Sequence, residues 1–408
     1  MVIALNGTIN FKVKYLIICG SALSKYENYP NMKITFVLTT VGFQGGIRST
    51  ATLAERLIKR GHEVLVVSTP RRPPSLRQQV RSLLKGQGWV STTLKPPSHF
   101  DNVDVPHRVI DRFRPITDED VPDADIVVAT WWQAAKWVAQ FSDAKGVKVY
   151  FIRGYAANMK YLPKEQVEMT YSLPMHKITI SDQLVDWLRT CYGDNKVSLV
   201  PNSVDTELFY APPRGKQPSP TVGMMYSTIY WKGGNIILRA FSLASQKIPN
   251  LRLVAFGSQR PSSNLPLPPN TEYIYQPPQN AIRDIYAKCD AWLFGSSSEE
   301  GFGNPILEAM ACRTPVIGTP VGAAPKILAD GAGVLLKSEN PEEMAQAIER
   351  FCRLSESEWQ TMSNVAYAKA TGYTWDDAVE LCEKAFCTAI DRWKQGEFSD
   401  YDMKNTIR

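Results

Sequence analysis

The sequence has no C-x-x-C pair, no G-x-G-x-x-G loop and no apolar run approaching the ~20 residues that cross a bilayer. Its four histidines, His62, His99, His107 and His176, are scattered without zinc spacing. The seven cysteines show no metal-finger pattern, and several fall in apolar helical stretches as buried free thiols do. A reducing compartment is expected. Net charge is only +6 and sits on no nucleic-acid-binding motif, so no nucleic-acid partner is expected. With 44 % hydrophobic and 21 % charged residues, the composition excludes a disordered, collagenous or coiled-coil chain. At 408 residues it suits two domains of roughly 150–200 residues.

Positive charge gathers from Arg71 to Arg114, where a run opened by Arg71, Arg72, Arg77, Arg81 and Lys85 meets only Asp101, Asp104 and Asp111. The run reads first as a solvated surface and second as a contact for anionic lipid or a phosphorylated acceptor. Residues 1–31 hold one short apolar run, Tyr15 to Cys19, and Met32 precedes the first strong strand. The segment reads as a poorly ordered extension rather than a signal peptide, because the run is short and what precedes it is not clearly basic.

Residues 33–40 read as a buried strand, followed by a glycine loop at 41–46, a helix over 48–60 and a strand at 62–68. Further strands are expected at 126–129, 147–152, 177–180 and 197–200, with a helix over 182–190. Residues 206–220, with Pro212, Pro213, Gly215, Pro218 and Pro220, make a linker. A second alternating half follows, with strands at 221–226, 251–256, 272–275, 291–294, 315–317 and 333–336. Its helices are expected at 235–246, 281–288, 305–312 and 341–354. The fold class is α/β, with two doubly wound parallel-sheet (Rossmann-like) domains and a ligand cleft between them. The C-terminal helices from about 357 to 394 have no strand partners, and the segment 376–408 is expected to cross back to the first domain.

The strongest chemical signal is Glu300-Gly301-Phe302-Gly303-Asn304-Pro305-Ile306-Leu307-Glu308. It follows the strand at 291–294, and Asn304 reads as the N-cap of a helix that Pro305 opens. The free N–H groups and the dipole at such a helix start suit a diphosphate. Glu300 before the helix and Glu308 about one turn inside it can each accept from paired hydroxyls, one of the sugar and one of a ribose.

This segment resembles the paired-glutamate signature of retaining glycosyltransferase family 4, the group 1 glycosyltransferases of GT-B fold. Gly45-Gly46 resembles the family's glycine loop, and Arg60-Gly61-His62-Glu63-Val64 its first-helix ending. Val200-Pro201-Asn202-Ser203-Val204-Asp205 resembles the segment before its linker, and Lys232-Gly233 its lysine-glycine pair. The resemblance implies an acceptor-side domain at 32–205, a donor-nucleotide domain at 221–375 and a metal-independent transfer from a nucleotide-diphosphate sugar. It implies no cofactor. Glu300 and Lys232 are the implied catalytic residues, Lys232 neutralising the diphosphate. Gly45, Gly46, Gly301, Phe302, Gly303, Asn304 and Glu308 join them in binding the donor. The family's usual arginine before its lysine is missing from the stretch Tyr226 to Trp231, which makes Arg153 and Arg48 candidates to supply the charge and Tyr226 a further candidate. The implied partners are the nucleotide sugar and a saccharide or glycolipid acceptor. The implied place is the cytoplasm, with peripheral association at the inner face of a membrane.

Trp131 and Trp132 follow a strand end and read equally as a sugar- or lipid-stacking pair or as core. Asp123-Ala124-Asp125 spells a metal-binding D-x-D, but it lies behind Pro122 just before a strand, where acidic turn residues are common. A dinucleotide-dependent oxidoreductase is the chief rival class, and the loop Gly42-Phe43-Gln44-Gly45-Gly46 fails its pattern. An epimerase or phosphorylase on the same halves and a non-catalytic nucleotide-sugar binder are two further rivals.

Overall fold

The computed structural model describes residues 31–86, 88–89 and 95–398, so the expectation for 1–31 lies almost wholly outside the described residues. The chain divides into two compact units. Among the described residues, the first runs to Ile180, takes Leu184–Pro201 and resumes at Val379; the second holds Ser181–Gln183 and Asn202–Ala378.

In the first unit the strands are β1 (Lys33–Leu38), β2 (Glu63–Ser68), β3 (His107–Val109), β4 (Ile126–Ala129), β5 (Val147–Ile152), β6 (His176–Thr179) and β7 (Ser198–Leu199). They pair in parallel in the order β3-β2-β1-β4-β5-β6-β7. All of β4 and all but the first residue of β1 are buried, as strands covered by helices on both faces must be. The helices are α1 (Gly45–Lys59), α2 (Leu76–Leu84), α3 (Trp132–Val138), α4 (Lys164–Tyr171) and α5 (Asp182–Tyr192), whose first two residues belong to the second unit.

The second unit repeats the plan. Its strands are β8 (Thr221–Met225), β9 (Arg252–Gly257), β10 (Glu272–Tyr275), β11 (Ala291–Phe294), β12 (Val316–Gly318) and β13 (Gly333–Leu335), parallel in the order β10-β9-β8-β11-β12-β13. Its helices are α6 (Gly234–Ser245), α7 (Gln279–Ala287), α8 (Asn304–Ala311), α9 (Ala324–Ile327), α10 (Pro341–Cys352) and α11 (Glu356–Thr371). Val222, Met224, Leu253 and Leu293 of the sheet pack with α6 and α10 through residues such as Phe241 and Ile348. The linker is fastened here. The Arg214 guanidinium donates to the Cys289 carbonyl at 2.5 Å and Thr314 Oγ1 at 2.7 Å, and lies 4.8 Å over the Trp359 ring.

Both sheets reverse their winding once, between β1 and β4 and between β8 and β11. In such sheets ligands bind beyond the carboxyl ends of the strands at that reversal. The expected fold class, two doubly wound parallel sheets, is the one observed. Five elements differ from expectation. The edge strand β3 and helices α3, α4 and α9 are too short to carry a long apolar period, and in α2 the apolar residues stand among the arginines of the basic run, so the sequence did not announce them.

The last helix, α12 (Trp375–Lys394), changes units after Ala378. Within the first unit Glu383 accepts from Arg60 at 2.8 Å and from His62 Nε2 at 2.9 Å, while His62 Nδ1 accepts from the Met32 N–H at 3.0 Å. Further along, Arg392 donates to His176 Nδ1 at 2.8 Å, which leaves the hydrogen on Nε2, facing Ser198 Oγ at 2.9 Å. Burial, helped by the Arg392 charge, pushes the His176 pKa down to about 3 from the ordinary 6.5. The unfolded chain therefore takes up this proton first. The contribution of neutral His176 to stability is complete above pH 6.5 and is lost as the pH falls towards 3. His176→Gln is expected to lose less stability than the wild type between pH 7 and 4.5, by on the order of 2 kcal/mol. Denaturant melts at the two pH values measure this; parallel losses in both proteins show that the histidine is not held neutral.

Candidate active site

The loops at the carboxyl ends of β8 and β11 carry a basic and an acidic side chain, Lys232 and Glu300. After β8 the chain makes a 3-10 turn, Tyr230–Lys232, and Gly233 at φ 66° turns it into α6. After β11 it passes Gly295 and Ser296 to Glu300, whose N–H donates to the Ser297 carbonyl at 2.9 Å. The two loops touch backbone to backbone. A Cβ on Gly233 would stand 1.7 Å from the Gly295 carbonyl oxygen, and the Ser297 N–H donates to the Trp231 carbonyl at 2.9 Å. That contact fixes Lys232 beside Glu300. The Lys232 ammonium lies 2.7 Å from Glu300 Oε2 and 4.0 Å over the Trp231 ring, and Ser296 Oγ donates to the same carboxylate oxygen at 3.2 Å. Lys232 and Glu300 line one pocket with Met225, Ile237, Gly295 and Pro305. A lysine held at a strand end by a carboxylate can exchange that partner for a phosphate, and the freed carboxylate can accept from hydroxyls.

Beyond Glu300, Phe302 is buried and Gly303, at φ 97°, caps α8. The cap is thus Gly303 and not Asn304. Asn304 is already helical, with Pro305 behind it, and its Oδ1 accepts from Asn202 Nδ2 at 2.9 Å. Only glycine reaches that left-handed geometry without strain, which displaces the expected cap by one residue. Both glutamates are buried rather than exposed, Glu300 at 8 % and Glu308 at 6 %. Glu308 Oε2 accepts from the Tyr286 hydroxyl of α7 at 2.8 Å, and Glu308 does not line the pocket that Lys232 and Glu300 share. Tyr226 is part of the core. Its hydroxyl donates to the Leu265 carbonyl at 2.7 Å and accepts from the Ser262 N–H at 2.8 Å, which staples the loop after β9.

The first unit has its own cluster at the β1–β4 reversal. Gly45 and Gly46 are not a loop but the first turn of α1, capped by Gln44, whose carbonyl accepts from the Ile47 and Arg48 N–H groups. The glycines are exposed, and a Cβ on Gly46 would lie 3.6 Å from Arg153 Cδ. The Arg153 guanidinium, from the end of β5, stacks at 4.1 Å on the Phe151 ring, and burial lowers its pKa to about 10, so it stays charged. Trp131 follows β4 and caps α3, half-buried, while Trp132 is core. The D-x-D acids hold the fold: Asp123 pairs with Lys145 at 2.9 Å, and Asp125 accepts from the Lys33 N–H at 2.7 Å. The described cysteines, Cys191, Cys289, Cys312, Cys352, Cys382 and Cys387, are free thiols. No helix of the described residues is long and apolar enough to cross a membrane.

Residues 211–368 match the family model described as Glycosyl transferases group 1, and residues 43–208 match that of Glycosyltransferase Family 4. The chain belongs to the group 1 glycosyltransferases. This glycosyltransferase is 31 % identical over 124 residues to the D-inositol 3-phosphate glycosyltransferase of Actinosynnema mirum, covering 30 % of this chain and 29 % of that one. It is 23 % identical over 207 residues to a subunit of the human phosphatidylinositol N-acetylglucosaminyltransferase, covering 49 % and 42 %. The matched stretches span less than half of either relative. In fold the glycosyltransferase is similar to Anabaena HepE, solved in complex with UDP-glucose, with a TM-score of 0.63 at 18 % identity over 88 % of this chain and 99 % of that one. It is also similar to the sucrose-phosphate synthase of Thermosynechococcus elongatus, with a TM-score of 0.66 at 16 % identity over 88 % and 100 %. The fold is GT-B.

Two features of the loops after β8 and β11 escaped the sequence reading. Glu299, next to Glu300, is buried and accepts from the Tyr230 hydroxyl at 2.8 Å and from Ser297 Oγ at 2.7 Å, locking the loop. The backbone contact between Gly233 and Gly295 is the other. Each glycine follows a strand in the sequence, and that shared position was the available signal.

Proposed function

We propose that this group 1 glycosyltransferase moves a glycosyl group from a nucleotide-diphosphate sugar to a hydroxyl of a saccharide or lipid-linked acceptor, with retention at the anomeric carbon and without a metal. One observation carries the reading: Lys232 and Glu300 pair at 2.7 Å at the reversal of the second sheet. The donor's diphosphate takes over Lys232, whose ammonium stabilises the charge that grows on the departing phosphate. Glu300, released, accepts from the sugar hydroxyls. The bond from the anomeric carbon to the phosphate oxygen breaks, the bond to the acceptor oxygen forms on the same face, and the acceptor proton goes to the leaving phosphate. Glu308 is assigned to the ribose, its carboxylate held ready by Tyr286. In the first unit the α1 start at Gly45-Gly46, with Arg153 beside it, is assigned to a substrate anion or the acceptor. The UDP-glucose bound by HepE supports a nucleotide-sugar donor. We place the activity in the cytoplasm, at a membrane face when the acceptor is lipid-linked.

Purified protein is expected to be stabilised by one nucleotide sugar of a panel in thermal shift, and to transfer that sugar at an undiminished rate in excess chelator. The product should keep the donor's anomeric configuration by NMR. An inverted product, a free sugar isomer, donor binding without turnover, or a loss of rate restored by manganese overturns the corresponding part of the reading.

A further inference from the structure

Helix α2 is turned inside out. Its buried side chains are Gln79 and Ser82, whereas Leu76, Val80, Leu83 and Leu84 are 79, 54, 50 and 84 % exposed. These positions follow the spacing i, i+4, i+7 and i+8 and form one stripe along the helix. Arg77, Arg81 and Lys85, each one residue further on, make an exposed cationic row beside it. Trp89 stands 67 % exposed just beyond the helix, and Arg71 and Arg72 are exposed just before it. The Arg72 guanidinium lies 5.9 Å from the ring of Phe113, another exposed apolar side chain brought in from a distant segment. From Arg71 to Phe100 the sequence has no acidic residue.

We propose that α2 is the surface through which this chain binds an anionic phospholipid bilayer. The helix lies flat, with Leu76, Val80, Leu83 and Leu84 at the acyl boundary and the arginines and Lys85 among the lipid phosphates. The inference deepens the reading of a lipid-linked acceptor and takes its purpose from it. Charge selects the occupant. A second copy presenting this face would set like charges against each other. Residues 1–30 carry Lys12, Lys14 and Lys25 against Glu27 and have the same sign. A phosphate-rich lipid surface complements both the cationic row and the aliphatic stripe, which water alone leaves unpaired.

The test is co-sedimentation of the full chain with vesicles of phosphatidylcholine alone and of phosphatidylcholine mixed with phosphatidylglycerol. Partition onto the mixed vesicles is expected to be tighter by about tenfold or more and to weaken with salt. The triple variants Arg77→Glu/Arg81→Glu/Lys85→Glu and Leu76→Ser/Leu83→Ser/Leu84→Ser should each lose about tenfold or more of that binding. Their melting temperatures and their transfer to a soluble acceptor should match the wild type, because the replaced side chains are exposed. Equal partition onto both vesicles, undiminished binding by both variants, or a wild-type dimer that either variant dissociates would overturn the proposal. Vesicle binding without any glycosyl transfer leaves the surface standing and removes the transfer reading. Transfer by a protein that ignores the vesicles does the reverse.

Discussion

Glu300→Gln is expected to lower the transfer rate at saturating donor by at least tenfold, about 1.4 kcal/mol or more of lost transition-state stabilisation, while the nucleoside diphosphate product binds as tightly as before or more tightly. The split follows from the geometry. Glutamine keeps the size of the side chain and can still accept from Ser296, so the loop after β11 stays in place. Lys232 loses the carboxylate 2.7 Å away but keeps its seat over the Trp231 ring, and it meets an incoming diphosphate with no competitor. What disappears is the anionic acceptor for the sugar hydroxyls. Initial rates and product calorimetry measure the two halves separately. A folded Glu300→Gln protein with full activity would falsify the role given to this carboxylate, and weakened product binding would show that Glu300 positions Lys232 instead.

Gly233→Ala should be among the most damaging single substitutions in the second unit. The added Cβ would stand 1.7 Å from the Gly295 carbonyl oxygen, and the residue is held at φ 66°. A clash with backbone cannot be relieved by rotating a side chain. The loops must part, and with them go the Ser297–Trp231 bond and the meeting of Lys232 with Glu300. We expect the melting temperature to fall by roughly 10 °C and transfer to fall about a hundredfold. Gly331→Ala is the control. It shares the left-handed backbone at φ 82° but meets nothing within 4 Å, so only the conformational cost of about 1–2 kcal/mol remains. Equal behaviour of the two variants means the loops yield freely and the contact fixes nothing.

Much of the molecule was legible because parallel strands buried on both faces write themselves as apolar runs, as at Lys33–Leu38 and Ala291–Phe294. Helix α2 was hidden for the opposite reason: its apolar residues point outward, so its arginines dominated the reading. Glu300 and the glycine-rich start of α8 were visible because strand ends and helix starts leave marks in sequence, whereas Lys232 was reached through the family resemblance. The partners of those groups were not. Nothing in the local pattern says that Glu308 meets Tyr286, or that the Tyr226 hydroxyl serves the carbonyl of Leu265, since these contacts join segments 22 and 39 residues apart. Gly45-Gly46 shows a subtler failure, in which a glycine pair normally taken for a loop is the opening turn of a helix.

The passage of α12 from one unit to the other means that the chain completes the later unit before the earlier one. The described residues of the second unit are all in place in the chain by Ala378, before those that finish the first. The first unit, begun earlier, still lacks Glu383 and Arg392, which hold Arg60, His62 and His176, so its packing is completed only once the chain has grown past Arg392.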